Sequence, residues 1–408
     1  MLKCGLLGEK LGHSYSPQIH AYLDSYEYRL YEKKPEEVES FLKDGDWDAL
    51  NVTIPYKKLA ASMCDEVSEI VKTLASANTL VKKDGKIYGY NTDYFGFMSM
   101  VQKSGIELEG KKALVLGSGG ASVTVCTVLK KLGAKPVVIS RSGQSNYMNL
   151  YIHSDAGIIV NATPVGMYPA NGRSAVDLDA FPCCTGVMDL IYNPLRTELI
   201  IQAEERGIPC MSGLHMLVAQ AKRSSELFTG SVIPDSAIED IRRKIELEQQ
   251  NIVLIGMPGC GKSEISRSLA QALGRQAFDA DEMIEERAGM SISEIFERDG
   301  EEGFRALESQ ALSDLGKLSG AVISTGGGCV TVDKNYRYLH QNGVIVWLQR
   351  DLSRLPKDGR PISQKSDLAE LYAKRENMYS SFSDFAADNN GTVSQTVNSI
   401  ISAINKRV

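Results

Sequence analysis

The chain has 408 residues, 43 % of them hydrophobic, and its 45 Lys and Arg against 51 Asp and Glu leave a formal net charge of −6. That length allows two or three domains with packed cores, and the acidic balance argues against nucleic acid or an anionic membrane as partner. Eight cysteines without a CxxC pair and five histidines without ligand spacing predict a reduced, cytoplasmic protein, not a disulfide or zinc framework. No apolar run reaches the length of a membrane span, and the chain opens on what reads as a strand (2–7) without a signal peptide.

Taken in order, the first polar cluster is GHSYSP at 12–17. In extended chain Ser14 and Ser16 point the same way; Ser16 also reads as an N-cap, with Pro17 at the first helical position. NVTIPYK (51–57) is a second extended run, with Asn51 and Thr53 on one face and Lys57 presented after Pro55. ASANTL places Asn78 before a strand, and GYNTDY places Asp93 ahead of an apolar helical pattern of Phe95, Met98 and Val101. A glycine loop, GSGGAS, follows the strand 113–116 and precedes the helix 123–132, with Ser122 where GxGxxG has its third glycine. The strand 137–139 completes a βαβ unit. It ends in Ser140, Arg141 and Ser142, and a guanidinium with flanking hydroxyls suits the 2′-phosphate of NADP rather than the 2′-hydroxyl of NAD.

These pieces, together with NATPVGM (161–167), DLIYNP (189–194) and GLHMLVAQA (213–221), resemble the shikimate dehydrogenase family across residues 1–248. The resemblance implies a substrate-binding and catalytic domain over 1–95, closed by helices from 212–249, and a Rossmann-type NADP domain over 96–211. It implies that Ser14, Ser16, Thr53, Asn78, Tyr192 and Gln220 bind the polyol acid, with Lys57 and Asp93 as the catalytic pair. Gly117, Gly119, Gly120, Ala121, Ser140, Arg141 and Gly213 would hold the dinucleotide. The residue types suit the chemistry: hydride arriving at a ring ketone leaves an alkoxide, which a cationic Lys57 can protonate while Asp93 orients the ammonium. The stretch 141–161 is short for the family by about one helix-plus-strand unit, on the adenosine side of the site.

Residues 234–249 carry Ile238, Ile241 and Ile245 at helical spacing and read as the closing helix of the first enzyme. No Gly/Ser- or Pro-rich linker follows. The strand 252–255 runs straight into GMPGCGKS (256–263), and a helical pattern over 264–273 comes after. That strand–loop–helix context makes GxxxxGK[ST] a phosphate cradle, with Lys262 for the outer phosphates and Ser263 for Mg²⁺. FDAD ends a second strand with Asp279 and Asp281, alternating so that both carboxylates face one way. GEEGFRALE puts Arg305 and Glu308 at i, i+3 on a helix; read alone, an exposed helical Arg305 is a solvated charge. The strand 321–324 leads into Gly326–Gly328, GRP presents Arg360, and YAKRENMY presents Arg375.

Residues 251–408 resemble the shikimate kinase family, which implies a P-loop domain with a parallel sheet flanked by helices. By that resemblance Gly259, Cys260, Gly261, Lys262, Ser263, Glu264, Arg354 and Arg360 contact ATP, and Ser263 and Asp279 serve Mg²⁺. Asp281 takes the hydroxyl to be phosphorylated and is the candidate base. Arg305, Arg375 and Gly326, Gly327 and Gly328 hold the ring acid, whose carboxylate suits a bidentate guanidinium. Lys262 and Arg360 neutralise the transferring phosphoryl group. The segment 347–360 is short for a lid, leaving Arg354 to stack on adenine. The α/β chain is thus expected to reduce 3-dehydroshikimate with NADPH and to phosphorylate shikimate with ATP. The rivals are a quinate-type dehydrogenase joined to a gluconate-like sugar-acid kinase, and a chain with one non-catalytic half. Small molecules are the expected partners, without nucleic acid or membrane; oligomeric state is left open, a homodimer among the options.

Overall fold

Short apolar runs at 113–116, 158–160 and 252–255 are buried throughout, as strands of a parallel sheet covered on both faces must be. The computed structural model describes residues 1–12, 14–355 and 368–407. It divides into two compact units, one of Met1–Met167, Arg173–Tyr192 and Gln202–Ile245, the other of Tyr168–Gly172, Asn193–Ile201 and Glu246–Val408.

The first unit holds two sheets. One is six-stranded and mixed, in the spatial order Glu27–Glu32, Lys3–Gly8, Ala49–Val52, Thr79–Lys83, Lys86–Tyr90 and Glu66–Val67. Its antiparallel pairs set Asn51 opposite Thr79, and Thr79 opposite Tyr90. The other is five-stranded and wholly parallel, in the order Cys210–Met211, Gly186–Asp189, Ile158–Asn161, Lys112–Leu116 and Lys135–Ile139. The helix Gly120–Lys131 follows the strand Lys112–Leu116, giving the βαβ unit that the glycine loop predicts.

The helix Thr92–Ser104 ties the second sheet to the catalytic residues. Asn91 caps it by accepting the Tyr94 N–H, and Gly105 ends it at φ +64, the start and stop that capping chemistry favours. Its inner face, Phe97, Met100 and Val101, shares one core cluster with Ala113, Val115, Ile158 and Val160 of the parallel sheet. The N-terminal turn, carrying Asp93, is thereby fixed relative to the dinucleotide sheet.

The second unit is built on a five-stranded parallel sheet in the order Ala277–Asp279, Val322–Ser324, Asn251–Ile255, Gly343–Gln349 and Phe385–Asp388. The central strand Asn251–Ile255 pairs on both sides, and the helix Lys262–Leu273 begins at the end of the glycine loop. The helical stretch Ile292–Leu315 breaks at Gly300, where φ is +71, a conformation that glycine adopts without a Cβ penalty. Among the described residues, no helix is long and apolar enough to cross a membrane.

Two local expectations are corrected. Ser16 is the first residue of the helix Ser16–Leu23 and Tyr15 is its cap; Ser14 Oγ accepts the Ser16 N–H at 3.2 Å, so Ser14 does the local work assigned to Ser16. The strand ending in FDAD stops at Asp279. Asp279 caps the helix Ala280–Ala288 by accepting the Asp281 N–H at 3.0 Å, so the two aspartates are related by a helix start rather than by strand alternation.

Candidate active sites

In the first unit, the short helix Lys57–Ser62 presents Lys57 at its first position. Lys57 Nζ donates to Asp93 Oδ2 at 2.6 Å, with the two side chains 26 % and 18 % exposed, a charge-assisted contact open to a ligand on one side. Asp93 is held on its other oxygen: Asn78 Nδ2 donates to Asp93 Oδ1 at 2.9 Å. Asn78 is itself clamped, its Oδ1 accepting the Thr92 N–H at 2.6 Å and its Nδ2 reaching Thr92 Oγ1 at 3.0 Å. Thr92 Oγ1 donates to Gln220 Oε1 at 3.3 Å. Lys57, Asp93, Asn78 and Gln220 are therefore brought into one hydrogen-bonded group.

Behind it lies a buried polar layer that the motifs do not single out. Ser224 Oγ is fully buried and lies 3.0 Å from both Thr92 Oγ1 and Thr79 Oγ1, while Asn51 Nδ2 donates to it at 2.8 Å. Tyr28 in turn donates to Asn51 Oδ1 at 2.8 Å. Every member is partnered, the condition under which buried polar groups stiffen a site instead of weakening it. The layer's sequence signals were Asn51 in NVTIPYK, Thr79 in ASANTL and the polar run NTD at 91–93; Ser224 is 132 residues from Thr92, and helical spacing alone cannot announce that contact.

Of the other expected ligands of the acid, Ser16 is buried and Ser14 and Thr53 are half-buried. Tyr192 packs its ring 5.2 Å from that of Tyr15, between the two serines in sequence, and burial raises its phenol above the ordinary tyrosine range. Gly213 heads the helix Leu214–Thr229 that carries Gln220; a Cβ there would stand 2.1 Å from the Leu190 carbonyl oxygen, so only glycine fits.

The glycine loop has the geometry of a dinucleotide cradle. Gly117 sits at φ +102 with Thr163 and Ala162 against it, whereas a Cβ on Gly119 or Gly120 would meet open space. Ser122, in place of the third glycine, donates from Oγ to Gly119 O at 2.7 Å and braces the turn, with Ala121 between them at the helix start. Gly117 N–H bonds to Ile139 O at 2.8 Å. That contact joins the loop to the strand end from which Ser140 and the exposed Arg141 follow. These residues fit a phosphorylated dinucleotide. NATP serves the fold: Asn161 Nδ2 donates to both oxygens of the fully buried Asp189 at 3.0 and 3.1 Å.

In the second unit, the phosphate loop turns through three glycines of positive φ, Gly256 at +144, Gly259 at +81 and Gly261 at +95. Lys262 Nζ donates to the carbonyls of Gly256 at 2.9 Å and Met257 at 3.0 Å. Ser263 Oγ donates to Asp279 Oδ2 at 2.7 Å, and this pair of hard oxygens suits Mg²⁺, which takes few protein ligands beside a nucleotide's phosphates. Cys260 is fully buried with its N–H on Met257 O at 3.2 Å and its carbonyl on Asn389 Nδ2 at 2.6 Å. Its part in the loop is therefore backbone shape, not a side-chain contact to ATP.

A cavity of about 490 Å³ joins this loop, including Glu264, to Asp281, Arg305, Arg375 and the triglycine turn. Arg305 is 11 % exposed and grips Glu308 Oε2 at 2.7 Å and Glu301 Oε1 at 3.2 Å, which corrects the reading of Arg305 as a solvated charge. Burial lifts the Glu308 carboxyl above its usual range against the pull of Arg305. The turn is glycine because its neighbours leave no space. A Cβ on Gly326 would lie 2.5 Å from Glu308 Oε1 and 3.0 Å from Asp281 Oδ1, and one on Gly328 would lie 2.1 Å from Arg305 Nη2. Arg375 Nη1 donates to Gly327 O at 3.0 Å. Arg354 is exposed and donates to Asn390 O at 2.6 Å; Arg360 lies outside the described residues.

A Lys–Asp pair fixed to a dinucleotide-type sheet is the arrangement of a nicotinamide-dependent oxidoreductase, and the loop with Lys262, Ser263 and Asp279 that of a P-loop phosphotransferase. Residues 6–80 match the family model of the shikimate dehydrogenase substrate binding domain, and residues 258–405 that of shikimate kinase. The shikimate dehydrogenase (NADP(+)) of Clostridium perfringens (strain SM101 / Type A) is 36 % identical over 266 residues, 59 % of this chain and 97 % of that protein. Among solved structures, shikimate dehydrogenase 1 of Peptoclostridium difficile is 35 % identical at a TM-score of 0.57, over 61 % of this chain and 99 % of its own. Shikimate 5-dehydrogenase of Thermus thermophilus, solved with NADP(H) and shikimate, is 30 % identical at a TM-score of 0.55, over 60 % of this chain and 99 % of its own. The chain belongs to the shikimate dehydrogenase family and carries a shikimate kinase domain in its second half. It joins two enzymes of the shikimate pathway on one polypeptide.

Proposed function

We propose that the first unit reduces 3-dehydroshikimate to shikimate with NADPH, and that the second transfers the γ-phosphoryl group of ATP to the 3-hydroxyl of that shikimate. The observation that carries the reading is the 2.6 Å Lys57–Asp93 contact braced through Asn78, with an equally furnished phosphate site on the same chain.

NADPH, held by Gly117, Gly119, Gly120, Ala121, Ser140, Arg141 and Gly213, supplies the hydride. Lys57 places its ammonium at the ketone oxygen, stabilises the charge that develops there and gives up a proton to it. Asp93 holds the ammonium in line, and Asn78 holds Asp93. Ser14, Ser16, Thr53, Tyr192 and Gln220 take the carboxylate and hydroxyls of the ring, fixing which carbon faces the hydride. In the kinase site, Ser263 and Asp279 would hold Mg²⁺, which would supply neutralisation of the phosphate charge. Asp281 orients the attacking hydroxyl and accepts its proton, Arg305 and Arg375 grip the ring carboxylate, and Lys262 and Arg360 offset charge on the transferring group. Glu308 keeps the Arg305 fork in place. The domain limits that fit this division of labour are 1–95 with 212–249, 96–211, and 251–408, working in the cytoplasm.

The test is a coupled assay with 3-dehydroshikimate, NADPH and ATP. Loss of NADPH and release of ADP in sequence support the reading. NADPH loss without ADP removes the kinase half of it, and faster turnover of quinate or gluconate than of shikimate removes the substrate assignment.

A further inference from the structure

Arg350 follows the strand Gly343–Gln349, which pairs in parallel with Asn251–Ile255 up to the rung of Ile255 and Trp347. Residues 348–350 therefore run beside the opening of the phosphate loop. A Cβ on Gly256 would stand 2.6 Å from the Leu348 carbonyl oxygen, and one on Gly261 would stand 3.3 Å from Arg350 Nη1. The guanidinium thus lies against the residue preceding Lys262, at the carboxyl edge of the sheet where ligands of open α/β folds gather.

The other arginines of this unit's cavity and rim have acceptors: Arg305 on Glu301 and Glu308, Arg375 on Gly327 O, Arg354 on Asn390 O. Arg350 differs. Its Nε, like that of Arg305, is buried without a hydrogen-bond partner. Unlike that of Arg305, its guanidinium has no acceptor and no ion pair among the described residues. A donor withdrawn from water without an acceptor is costly, and such groups call for a reason. The nearby Lys262 Nζ is a cationic donor, already donating to two loop carbonyls, and a cation cannot supply the acceptor. A phosphate oxygen at the Gly261–Lys262 turn can, in the bidentate geometry a guanidinium fork matches.

We propose that Arg350 is a nucleotide-binding residue of the kinase site, its guanidinium taking phosphate oxygens of ATP at the Gly261–Lys262 turn. The assignment rests on the ATP reading above and adds a cation that neither the P-loop motif nor Arg354 supplies.

The test uses the full chain with Arg350→Ala and Arg350→Lys. KM for ATP and shikimate is measured in steady state, and ADP and AMP binding are measured by calorimetry. Arg350→Ala is expected to raise the ATP KM and the ADP Kd by about tenfold or more, the scale of a lost charge-assisted contact, with the shikimate KM and the dehydrogenase rate unchanged. Arg350→Lys is expected to recover part of the loss, since it keeps the charge and not the fork. A loss shared by AMP places the contact at the α-phosphate and a loss confined to ADP places it at the β-phosphate; either supports the proposal. ADP affinity within about twofold of wild type in Arg350→Ala overturns it, as does a parallel fall in shikimate binding, which marks a structural role. A wild-type chain that binds ADP yet fails to phosphorylate shikimate overturns the kinase reading instead.

Discussion

Replacing Lys57 by Ala removes the ammonium and leaves Asp93 to Asn78, 2.9 Å away. Dehydrogenase turnover is expected to fall about 10²–10⁴-fold, the scale of a positioned proton donor, while ADP release from added shikimate continues. Reduction within a few-fold of wild type would assign the proton transfer elsewhere. His20 gives a pH dependence of a different kind. It is buried, stacked on Tyr28 at 4.0 Å, and burial lowers its pKa from 6.5 to about 3. Between those values the unfolded chain binds a proton that the native chain refuses, so His20 favours the native state fully above pH 6.5 and loses that contribution as pH falls. The slope reaches about 1.4 kcal/mol per pH unit. Urea unfolding from pH 7 to 5 should show it, and His20→Phe, which keeps a ring on Tyr28, should flatten it; equal slopes in the two proteins would mean His20 titrates normally. Lys57, Asp93, Asn78 and Gln220 were legible in the sequence because each stands in a motif (NVTIPYK, GYNTDY, ASANTL, GLHMLVAQA) that resembles the shikimate dehydrogenase family. The contacts of Ser224 were not, since helix packing sets them between residues 132 and 145 apart in the chain. Nor was the burial of Arg305, since its i, i+3 and i, i+4 partners Glu308 and Glu301 do not say which face of the helix is covered.

The elements were legible to the extent that their ends are written locally. Asn91 and Gly105 bound the helix Thr92–Ser104, and the strand–loop–helix at the phosphate cradle lies where the glycines put it. Reading stopped short where two local signals compete. Pro17 permits a helix start at Ser16, and Asp279 can end a strand or cap a helix; the hydrogen bonds to Ser16 N–H and Asp281 N–H decide between them. The turn Gly326–Gly328 is the element on which a single atom is expected to matter most. In Gly326→Ala the added methyl would have to occupy space 2.5 Å from Glu308 Oε1 and 3.0 Å from Asp281 Oδ1, displacing a fully buried carboxylate and the candidate base together. Shikimate KM is expected to rise about tenfold or more and kcat to fall, since small misplacements of reacting groups are costly. ADP affinity should hold because Gly256–Ser263 is untouched. An unchanged shikimate KM would show that the turn lies outside the acid site.

Across the whole molecule, each unit carries its own reacting groups, and shikimate is a small, soluble product tethered to neither. Proximity raises effective concentration only for linked groups, so coupling is expected through mass action: consumption of shikimate by ATP draws the reversible reduction forward. Isotope dilution checks this. With labelled 3-dehydroshikimate and excess unlabelled shikimate, the phosphorylated product should carry label in proportion to the bulk pool, and enrichment above the pool would establish direct transfer. The way the chain is apportioned bears on how it can be taken apart. The second unit counts Tyr168–Gly172 and Asn193–Ile201 among its own residues, and within it Leu195 N–H bonds to Asn342 Oδ1 at 2.8 Å and Arg196 N–H to Gln341 O at 2.9 Å. A scission at residue 250 would separate the two catalytic motifs cleanly, yet it would deprive the kinase of two of the three stretches of chain from which its compact unit is assembled. Genetic dissection of the activities is therefore better done by point substitution at Lys57 or Asp281 than by cutting the polypeptide.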